Sequence, residues 1–442
     1  MKIHVPTFLL LITLLTAACA QPPDPTPAPT SAPAEATETP APPASPVPPS
    51  PTASAVPTEA PTETVTATTE AQADPTASAT VASSLATLTP YPGPQPTAAP
   101  LNEPVPPVPT GDYECGAYPC FDDVAAWEAR INLPPGFEAR YVAQLEPHPT
   151  SMTFGPDGLL YLARQEGEIL TVDEEGNTEL YAGGFYHLVS LAFQPGTDRL
   201  FAASRAESND EALIWIVEDG EPRVLYDGLP CCYGGWHQAN GIAFGPDGYG
   251  YVPLGALSDG GEAGELHPLE ATVLRFHPDG DEIEPIAWGL RNTFDITWDS
   301  QGRLFGADNM PDHGPPEEFN QIVPGAQHGF PYYDDCAGCT PTPPDEEIVG
   351  PLHELLAHSA PTGLTTYLHD AFPGYYDNIF LTLWSAFEGA QKIVRFGPGG
   401  EGMTDFATGF AAPVDVTVSP DGSLFTVDWA TGIVFEIVYV GD

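Results

Sequence analysis

A short turn, Pro-Asp-Gly or a close variant of it, recurs along the second part of the chain between runs of β-branched and aromatic residues. Four copies with similar flanking residues end at Gly158, Gly248, Gly302 and Gly422. An aromatic residue holds an equivalent place in successive units, namely Phe154, Phe193, Phe244 and Trp298. Their spacing of roughly 40–55 residues is typical of the four-stranded blades of a β-propeller.

Two further units complete the set, in residues 363–382 and 414–438. From Glu138 onward the chain reads as short strands broken by Gly, Pro and Asp, with no amphipathic helix beyond a possible turn at 122–129. We therefore predict an all-β domain, a six-bladed β-propeller. Residues 137–144 are expected to pair with the last blade, which closes the ring and removes exposed sheet edges.

Composition changes sharply near residue 110, and it predicts four regions. They are a lipoprotein signal peptide in 1–19, a disordered Pro/Thr/Ala-rich linker in 20–110, a short cysteine-containing lead-in in 111–130 and the propeller in 131–442. The linker has almost no large apolar residues and neither Lys nor Arg, so it lacks the surface that a core would bury. Its prolines favour a semi-extended tether.

The N-terminal residues combine Lys2 with an apolar run at 8–15 that is too short to span a bilayer as a mature helix. Small residues precede Cys19 in a pattern that resembles a bacterial lipobox, although Thr16 stands where Leu is more usual. The pattern predicts an exported protein, lipid-anchored through Cys19 at the cell surface or the periplasmic side. An ordinary secretory signal with an incidental cysteine is the alternative.

The formal net charge is −49, from 12 Lys and Arg against 61 Asp and Glu. A chain this acidic is repelled by nucleic-acid phosphates and by anionic lipid surfaces. We therefore predict no nucleic-acid partner, and contact with a membrane through the lipid anchor only.

Six cysteines remain once Cys19 is set aside, and six in an exported chain suggest up to three disulfides. Neighbours in sequence would form the pairs Cys115 with Cys120, Cys231 with Cys232, and Cys336 with Cys339. Other connectivities remain open, including separate partners for the two adjacent cysteines. A zinc site at 336–339 is disfavoured, because no second Cys or His pair follows at a suitable spacing.

A histidine precedes the repeat that ends at Gly248. His237 follows Trp236 and stands directly upstream of the strand and turn at 242–248. With residues 131–137, this segment resembles the glucose/sorbosone dehydrogenase family, which includes soluble six-bladed quinoprotein sugar dehydrogenases that use pyrroloquinoline quinone (PQQ) and calcium. The resemblance covers roughly residues 131–440 and implies that His237 is the catalytic residue.

The same resemblance implies the cofactor ligands. Arg291 and Asn292 match the family's Arg-Asn contact with the quinone, and Asn309 matches an amide that also touches it. Lys392 matches the family's cofactor lysine. The calcium ligands implied by the resemblance are the backbone carbonyls of Met310 and Pro311.

These residue types suit the implied chemistry. Oxidation of a sugar hydroxyl needs a base for its proton while hydride leaves the carbon, and His237 is the type of side chain most easily poised for that near neutral pH. The quinone carries three carboxylates that Arg291 and Lys392 would meet, and calcium readily takes carbonyl oxygens. Two alternatives stay open, a structural role for His237 and an acidic partner for Arg291.

Two departures from the family pattern bear on the cofactor. Residues 432–436 offer no cation where family members often carry an arginine, and 386–388 read Ala-Phe-Glu where a Trp-Asn-Arg-like phrase is expected. Each missing charge-assisted contact would weaken binding by about 1.5–3 kcal/mol.

We predict an extracytoplasmic quinoprotein oxidoreductase that oxidises a sugar or polyol, at an aldose-like carbon, with PQQ and calcium; the electron acceptor is left open. The first alternative is a non-catalytic, cell-surface carbohydrate-binding propeller. The second is a calcium-dependent lactonase, since six-bladed propellers host that chemistry too.

Overall fold

The computed structural model describes residues 118–120, 122–260, 267–334 and 339–441. The predicted signal peptide, Cys19, the linker, Cys115 and Cys336 lie outside these residues. No helix in the described part of the chain is both long and apolar enough to span a bilayer.

The described chain begins with a helix and a strand that precede the first repeat. Helix α1 (Val124–Arg130) occupies most of the segment where the sequence predicted a turn, and the Asp123 side chain caps its first turn by accepting from the Ala126 amide. Strand β1 (Phe137–Gln144) follows and is antiparallel to the last strand of the chain.

The remaining strands form the blades, and six four-stranded sheets are present in the described residues. Blade 1 contains β2 (Pro149–Phe154), β3 (Leu160–Arg164), β4 (Glu168–Val172) and β5 (Thr178–Gly183). Blade 2 contains β6 (Tyr186–Phe193), β7 (Leu200–Arg205), β8 (Glu211–Glu218) and β9 (Glu221–Pro230). Blade 3 contains β10 (Ala243–Phe244), β11 (Gly250–Leu254), β12 (Thr272–Phe276) and β13 (Ile283–Trp288).

The second half of the ring follows the same plan. Blade 4 contains β14 (Thr293–Trp298), β15 (Leu304–Asp308), β16 (Glu318–Ile322) and β17 (His353–Glu354). Blade 5 contains β18 (Pro361–Tyr367), β19 (Asn378–Leu383), β20 (Lys392–Phe396) and β21 (Met403–Thr408). Blade 6 contains β22 (Pro413–Val418), β23 (Leu424–Asp428), β24 (Ile433–Tyr439) and, at its outer edge, β1. The predicted six-bladed propeller is confirmed.

The copies of the turn that end at Gly158, Gly248, Gly302 and Gly422 join the first and second strands of a blade. Phe154, Phe193, Phe244 and Trp298 each end the first strand, so their spacing marks successive blades as predicted. Gly158, Gly248, Gly302 and Gly422 all have a positive φ, between 72° and 92°. A residue without a Cβ adopts this left-handed conformation at no steric cost, which explains why glycine ends each copy of the turn.

The ring closes as the sequence predicted. Phe137 of β1 pairs with Tyr439 of β24, and the pairing continues to Gln144 and Ile433. The Phe137 ring packs edge-on against Phe372, Tyr439 and Phe406. The two ends of the propeller sequence therefore share one blade and one aromatic cluster.

Polar side chains line the axis where the first strands of the blades, here called the inner strands, surround it. A cavity of about 190 Å³ lies there, and Asp295 of β14 and Asp415 of β22 both face it. Each carboxylate accepts a hydrogen bond from the next blade around the ring. Asp295 accepts it from the Leu364 amide at 2.8 Å, and Asp415 accepts it from the Met152 amide at 2.5 Å. The aspartates thus connect adjacent blades at the axis.

Glycine makes room for both aspartates. A Cβ at Gly241 would lie 2.0 Å from an oxygen of Asp295, and one at Gly363 would lie 2.2 Å from an oxygen of Asp415. Burial raises the pKa of Asp415 to about 7. Burial also raises the pKa of Asp295, and the nearby charge of Asp415 adds to the increase.

These pKa directions predict how stability depends on pH. A carboxyl whose pKa is raised by folding contributes full stability below its unfolded pKa of about 4, and that contribution is lost as pH rises through the folded pKa. We expect the unfolding free energy of the wild type to fall relative to that of Asp295→Asn by about 1–3 kcal/mol between about pH 4 and pH 8, because asparagine does not titrate. Urea denaturation across this range measures the difference.

The exposed Asp281 provides a control for the substitution itself, since Asp281→Asn should change the unfolding free energy at pH 7 by less than about 0.5 kcal/mol. Parallel profiles for the wild type and Asp295→Asn would contradict the raised pKa at the axis.

Candidate functional site

A cavity of about 160 Å³ lies where the inner strands begin. Its walls come from two kinds of position in the repeat. Asn292 and Ala360 directly precede the inner strands β14 and β18, whereas Asn309, Trp384 and Trp429 directly follow the second strands β15, β19 and β23. The full lining is Trp236, Asn292, Phe294, Asn309, Ala360, Thr362, Trp384, Val414 and Trp429.

Four of the nine residues that line this cavity are aromatic. The indoles of Trp384 and Trp429 meet edge to face with 5.3 Å between ring centres, and Trp236 lies 6.3 Å from Phe294. The N–H groups of Trp384 and Trp429 are buried, and neither finds an acceptor in the described part of the chain. Because buried donors are normally satisfied, these indoles suit a flat ligand that carries oxygen acceptors.

His237 lies beside this cavity, one residue after Trp236. Only 6% of its surface is exposed, and its Nδ1 lies 2.8 Å from the carbonyl oxygen of Ala256. A carbonyl can only accept, so Nδ1 carries the proton and donates. In the neutral ring the lone pair is therefore on Nε2. This is the tautomer that a base acting through Nε2 requires.

The charge state of His237 follows from its surroundings. Burial lowers its pKa to about 3, and the positive charge of Arg291 lowers it further. The imidazole is therefore neutral near pH 7 and able to accept a proton. Its Ala256 contact also fixes the ring beside the arginine, since the Ala256 amide donates to the Arg291 carbonyl at 2.7 Å.

Gly255 permits His237 and Asn292 to approach each other. A Cβ at Gly255 would lie 2.7 Å from the Cβ of His237 and 2.8 Å from Oδ1 of Asn292. That oxygen accepts from the Asn240 amide at 2.9 Å. Asn309 donates to the Asn292 carbonyl at 3.1 Å and to the Pro361 carbonyl at 3.0 Å. The structure thus brings Asn292, Asn309 and His237 to one end of the axis.

Arg291 is buried and its guanidinium is already engaged. Nε donates to the backbone oxygen of Asp259 at 2.8 Å, and one terminal nitrogen lies 2.7 Å from Oδ1 of the same residue. The other terminal nitrogen donates to the Asn309 carbonyl at 2.8 Å. The acidic neighbour that the sequence left open for Arg291 is therefore Asp259, and a role in cofactor binding stays a prediction.

Lys392 is also paired with an acid. It begins β20 opposite Leu383, and its ammonium lies 2.7 Å from Oδ1 of Asp405. Lys392 is at the same end of blade 5 as Trp384 but one strand further from the axis, and it is not among the residues that line the cavity. The structure thus does not bring Lys392 together with Asn292 and Asn309.

Met310 and Pro311 follow Asn309 in the loop after β15. The Met310 amide donates to Glu317 at 2.8 Å, and the Pro311 carbonyl accepts from the Gly314 amide at 2.9 Å. Burial raises the pKa of Glu317 to about 7, and the nearby charge of Asp308 adds to this. In the described part of the chain, no group of three His, Cys, Asp or Glu side chains is placed to hold a metal.

The Pro311 hydrogen bond bears on the calcium prediction. A carbonyl oxygen has two lone pairs, so this bond leaves one for an ion. Backbone carbonyls are ordinary calcium ligands, and Met310 and Pro311 therefore fit the ion by chemistry. The site itself stays a prediction.

Two adjacent cysteines lie just upstream of His237. A disulfide joins Cys231 to Cys232, and Cys120 and Cys339 are also disulfide-bonded. The pairings of Cys120 with Cys115 and of Cys339 with Cys336 rest on residues outside the described ones, so they stay predictions.

Sequence reasoning missed most of the cavity wall. Trp384 and Trp429 stand at the same place in blades 5 and 6 as Asn309 in blade 4, directly after the second strand. Aligning the repeats on their second strands would have found both. Asp259 has no such periodic signal, because it lies in the connection between β11 and β12.

Comparison with known proteins agrees with this architecture. Residues 146–433 match the Glucose / Sorbosone dehydrogenase family. An uncharacterised protein from Borreliella burgdorferi is 29% identical in an alignment of 205 residues that covers 38% of this chain and 52% of that protein. The match thus spans about half the length of that relative.

Two solved structures share the fold. One is an oxidoreductase (glucose dehydrogenase) from Thermus thermophilus, with a TM-score of 0.56 and 24% identity over 69% of this chain and 100% of that one. The other is the PQQ-bound form of aldose sugar dehydrogenase from Streptomyces coelicolor, with a TM-score of 0.56 and 20% identity over 70% of this chain and 99% of that one. At these identities the likeness shows the fold alone.

The environment of His237 predicts its titration. Since burial lowers its pKa to about 3, the ring should remain the neutral, Nδ1-protonated tautomer on acidification from pH 7 to about pH 5, where an unperturbed histidine of pKa about 6.5 becomes charged. Nitrogen chemical shifts of the labelled imidazole measure this. A midpoint near 6.5 for His237 would mean that the ring is solvated.

The contacts of Arg291 predict a structural contribution that needs no ligand. Arg291→Ala should lower the unfolding free energy of the ligand-free protein by about 1.5–3 kcal/mol, because it leaves buried acceptors of charge-assisted hydrogen bonds unpaired. Urea denaturation measures the loss. Arg223→Ala, at an exposed arginine, should change it by less than about 0.5 kcal/mol. Equal losses in the two variants would show that the Asp259 contact contributes nothing.

Proposed function

Because the chain belongs to the glucose/sorbosone dehydrogenase family, we propose that it oxidises a sugar or other polyol with PQQ as the hydride acceptor and calcium as electrostatic support. The observation that carries the proposal is His237. It is a buried, neutral imidazole, fixed by its bond to Ala256 in the tautomer that leaves Nε2 free, beside a cavity walled by flat aromatic rings.

The cavity fits the quinone's ring better than its carboxylates. Trp236, Phe294, Trp384 and Trp429 offer surfaces for a planar ring, and two of the indoles have N–H groups free to meet its oxygens. Asn292 and Asn309 supply amide groups in the same wall. When bound, the quinone would supply a two-electron acceptor for hydride.

Binding of the quinone's carboxylates would depend on Arg291, which would have to exchange its ion pair with Asp259 for one with the quinone. Asp259 and the quinone both offer carboxylates, so the exchange preserves the type of contact. Lys392 would contribute only by leaving Asp405 and reaching inward. These two pairings, with the missing cation in 432–436, limit the affinity that we expect.

The chain's own residues account for the proton step. His237 would accept the proton of the sugar hydroxyl at Nε2, while Ala256 holds the opposite nitrogen in place. Arg291 keeps the imidazole neutral beforehand by disfavouring a second positive charge beside it. The aromatic side chains of the cavity wall would limit the access of water to the reacting carbon.

Calcium would be held by the backbone carbonyls of Met310 and Pro311, next to three buried acids. Burial raises the pKa of Asp308 to about 6, of Glu317 to about 7 and of Glu318 to about 8. A divalent cation nearby favours the ionised form of such groups. We also propose, from the N-terminal residues and the cysteine content, that the protein is exported and anchored through Cys19.

A specific observation favours the non-catalytic alternative. Arg291 and Lys392, the two cations assigned to the cofactor, are both paired with acids of this chain. A carbohydrate-binding scaffold needs no free cation in an aromatic cavity. The lactonase alternative needs several inward acidic side chains around a metal. In the described residues, two acidic side chains line the cavity on the axis, those of Asp295 and Asp415.

The proposal predicts separate effects on binding and on rate. His237→Ala in the protein loaded with PQQ and calcium should lower the rate of dye reduction with an aldose by about 10²–10⁴-fold, since it removes the general base. Binding of PQQ, measured by calorimetry, should stay within about threefold, because the histidine contributes no charge to the contact.

His277 serves as the matched control, because it lies in the hairpin between β12 and β13 at the opposite end of blade 3. His277→Ala should retain both binding and rate. If the wild type binds no PQQ with calcium in excess, the quinoprotein proposal fails and the carbohydrate-binding scaffold replaces it.

A further inference from the structure

Two arginines occupy the same place in neighbouring blades, at the end of the axis where His237 lies. Arg164 ends β3 of blade 1 and Arg205 ends β7 of blade 2, each as the last residue of a second strand. Arg164 forms ion pairs with Glu166, at 3.2 Å, and with Glu168. Arg205 has no carboxylate partner in the described residues. An unpaired arginine is unexpected in a chain with 12 Lys and Arg against 61 Asp and Glu.

The contacts of the Arg205 guanidinium are all with uncharged groups. Nη1 donates to the Gly235 carbonyl at 2.9 Å, and the group lies over the Tyr186 ring, 5.4 Å from its centre. Nε is buried and finds no acceptor in the part of the chain that the structure describes. Arg291 uses its own Nε and a terminal nitrogen to hold Asp259. The same edge of Arg205 therefore suits one further carboxylate.

His187 supplies a second buried polar atom near Arg205. It follows Tyr186, which pairs with Arg205 between β6 and β7. The histidine is 8% exposed, and its Nδ1 has no hydrogen-bond partner among the described residues. Burial lowers the pKa of His187 to about 4, and the positive charge of Arg205 lowers it further. The neutral imidazole can therefore make one more hydrogen bond at Nδ1, as donor or as acceptor.

Trp236 stands between His187 and the cavity assigned to the quinone. Its indole meets the His187 ring edge to face, with 4.5 Å between ring centres, and it also lines the cavity. Neither His187 nor Arg205 lines that cavity. Gly235, which accepts from Arg205, is two residues before His237, so the Cα atoms of Gly235 and His237 are at most about 7 Å apart. Arg205 thus lies outside the quinone's cavity but close to the segment that carries the base.

We propose that Arg205 binds the carboxylate of a sugar acid, so that the preferred substrate is a hexuronate oxidised at C1 beside His237. This inference rests on the proposed function. Arg205 is half-buried and the Tyr186 ring against it is 44% exposed, so a solute can reach the guanidinium from solvent. The carboxylate and C1 of a hexuronate lie on opposite sides of one pyranose ring. A single sugar can therefore meet Arg205 with its carboxylate while His187 bonds to a hydroxyl of its ring.

Oxidation of a hexuronate needs no reagent beyond those of the proposed function. C1 loses a hydride to the quinone oxidant, and the hydroxyl on C1 loses its proton to Nε2 of His237. The product is the lactone of an aldaric acid. The carboxylate at C6 takes no part in the reaction, so its contact with Arg205 is the same for substrate and product.

The charges around Arg205 favour one carboxylate over other anions. The net charge of −49 repels a dianion such as a phosphate ester more strongly than a monoanion. Glu166 is the acid whose charge acts on His187, and Arg164 already pairs with it. Arg205 thus contributes a single uncompensated positive charge. A neutral aldose would leave that half-buried charge unpaired, whereas a monoanionic sugar acid matches it.

Kinetics with the full chain, loaded with PQQ and calcium, test the preference. The kcat/KM of the wild type for glucuronate or galacturonate should exceed that for the corresponding neutral aldose by about tenfold or more. Arg205→Gln should remove this preference by raising the KM for the sugar acid, and Arg205→Lys, which keeps the charge without the fork, should retain part of it. Arg223→Gln is the matched control, because Arg223 is exposed near the opposite end of the same blade.

Binding to the cofactor-free protein separates this inference from the proposed function. The methyl glycosides of glucuronate and galacturonate have no free anomeric hydroxyl, so calorimetry reports their binding without oxidation. At least one should bind the wild type about threefold or more tightly than the neutral methyl glycoside of the same configuration, and Arg205→Gln should abolish that preference. This result without any PQQ-dependent activity would reject the quinoprotein proposal and support the carboxylate site.

Three results overturn the inference. Equal losses of activity on the acidic and the neutral sugar in Arg205→Gln would show that Arg205 only positions the segment 233–237. Weaker PQQ binding by Arg205→Gln, by about threefold or more with the sugar preference unchanged, would assign the arginine to the quinone. A wild type that prefers the sugar acid neither in kinetics nor in binding would show that no carboxylate is recognised.

Discussion

The pairing of β1 with β24 is the constraint on which the rest of the structure depends. It places strands from the two ends of the propeller sequence in blade 6 and so closes the ring of six sheets. Closure brings blade 6 against blade 1, where Asp415 of β22 accepts a hydrogen bond from the Met152 amide of β2. Because every blade repeats one path, all inner strands begin at the same end of the axis, where residues far apart in sequence converge.

Buried carboxylates at that end of the axis accept hydrogen bonds from backbone amides. Asp308 ends β15 and accepts from the amides of Arg291 and Asn292, at 2.7 and 2.6 Å. Asp428 ends β23 and accepts from the two amides that precede β22, both at 2.7 Å. The same pair of hydrogen bonds from backbone amides to an aspartate thus orients the wall of the cavity in blades 4 and 6. His237 joins it through Ala256, whose peptide group bonds to both His237 and Arg291.

The fold could be predicted from sequence because the repeated turn and the aromatic residue before it are local and periodic. The convergence of His237, Asn292 and Asn309 came from family resemblance, and the structure places them at one end of the axis. The pairings of Arg291 with Asp259 and of Lys392 with Asp405 could not be predicted. Residues 32 positions apart share no periodic signal, and a chain with so many acids offers each cation many possible partners. Trp384 and Trp429 were predictable in principle from their position after the second strand.

The central claim of the proposal is that a flat quinone would bind against the indoles of Trp384 and Trp429, in the cavity beside His237. A crystal structure of the full chain grown with PQQ and calcium tests it most directly. The account predicts density for the planar ring in that cavity, both indole N–H groups within hydrogen-bonding distance of ligand oxygens, and Nε2 of His237 facing the reactive carbonyl. An empty cavity with the quinone bound elsewhere, or a bound ring that leaves both indoles unpaired, would contradict it.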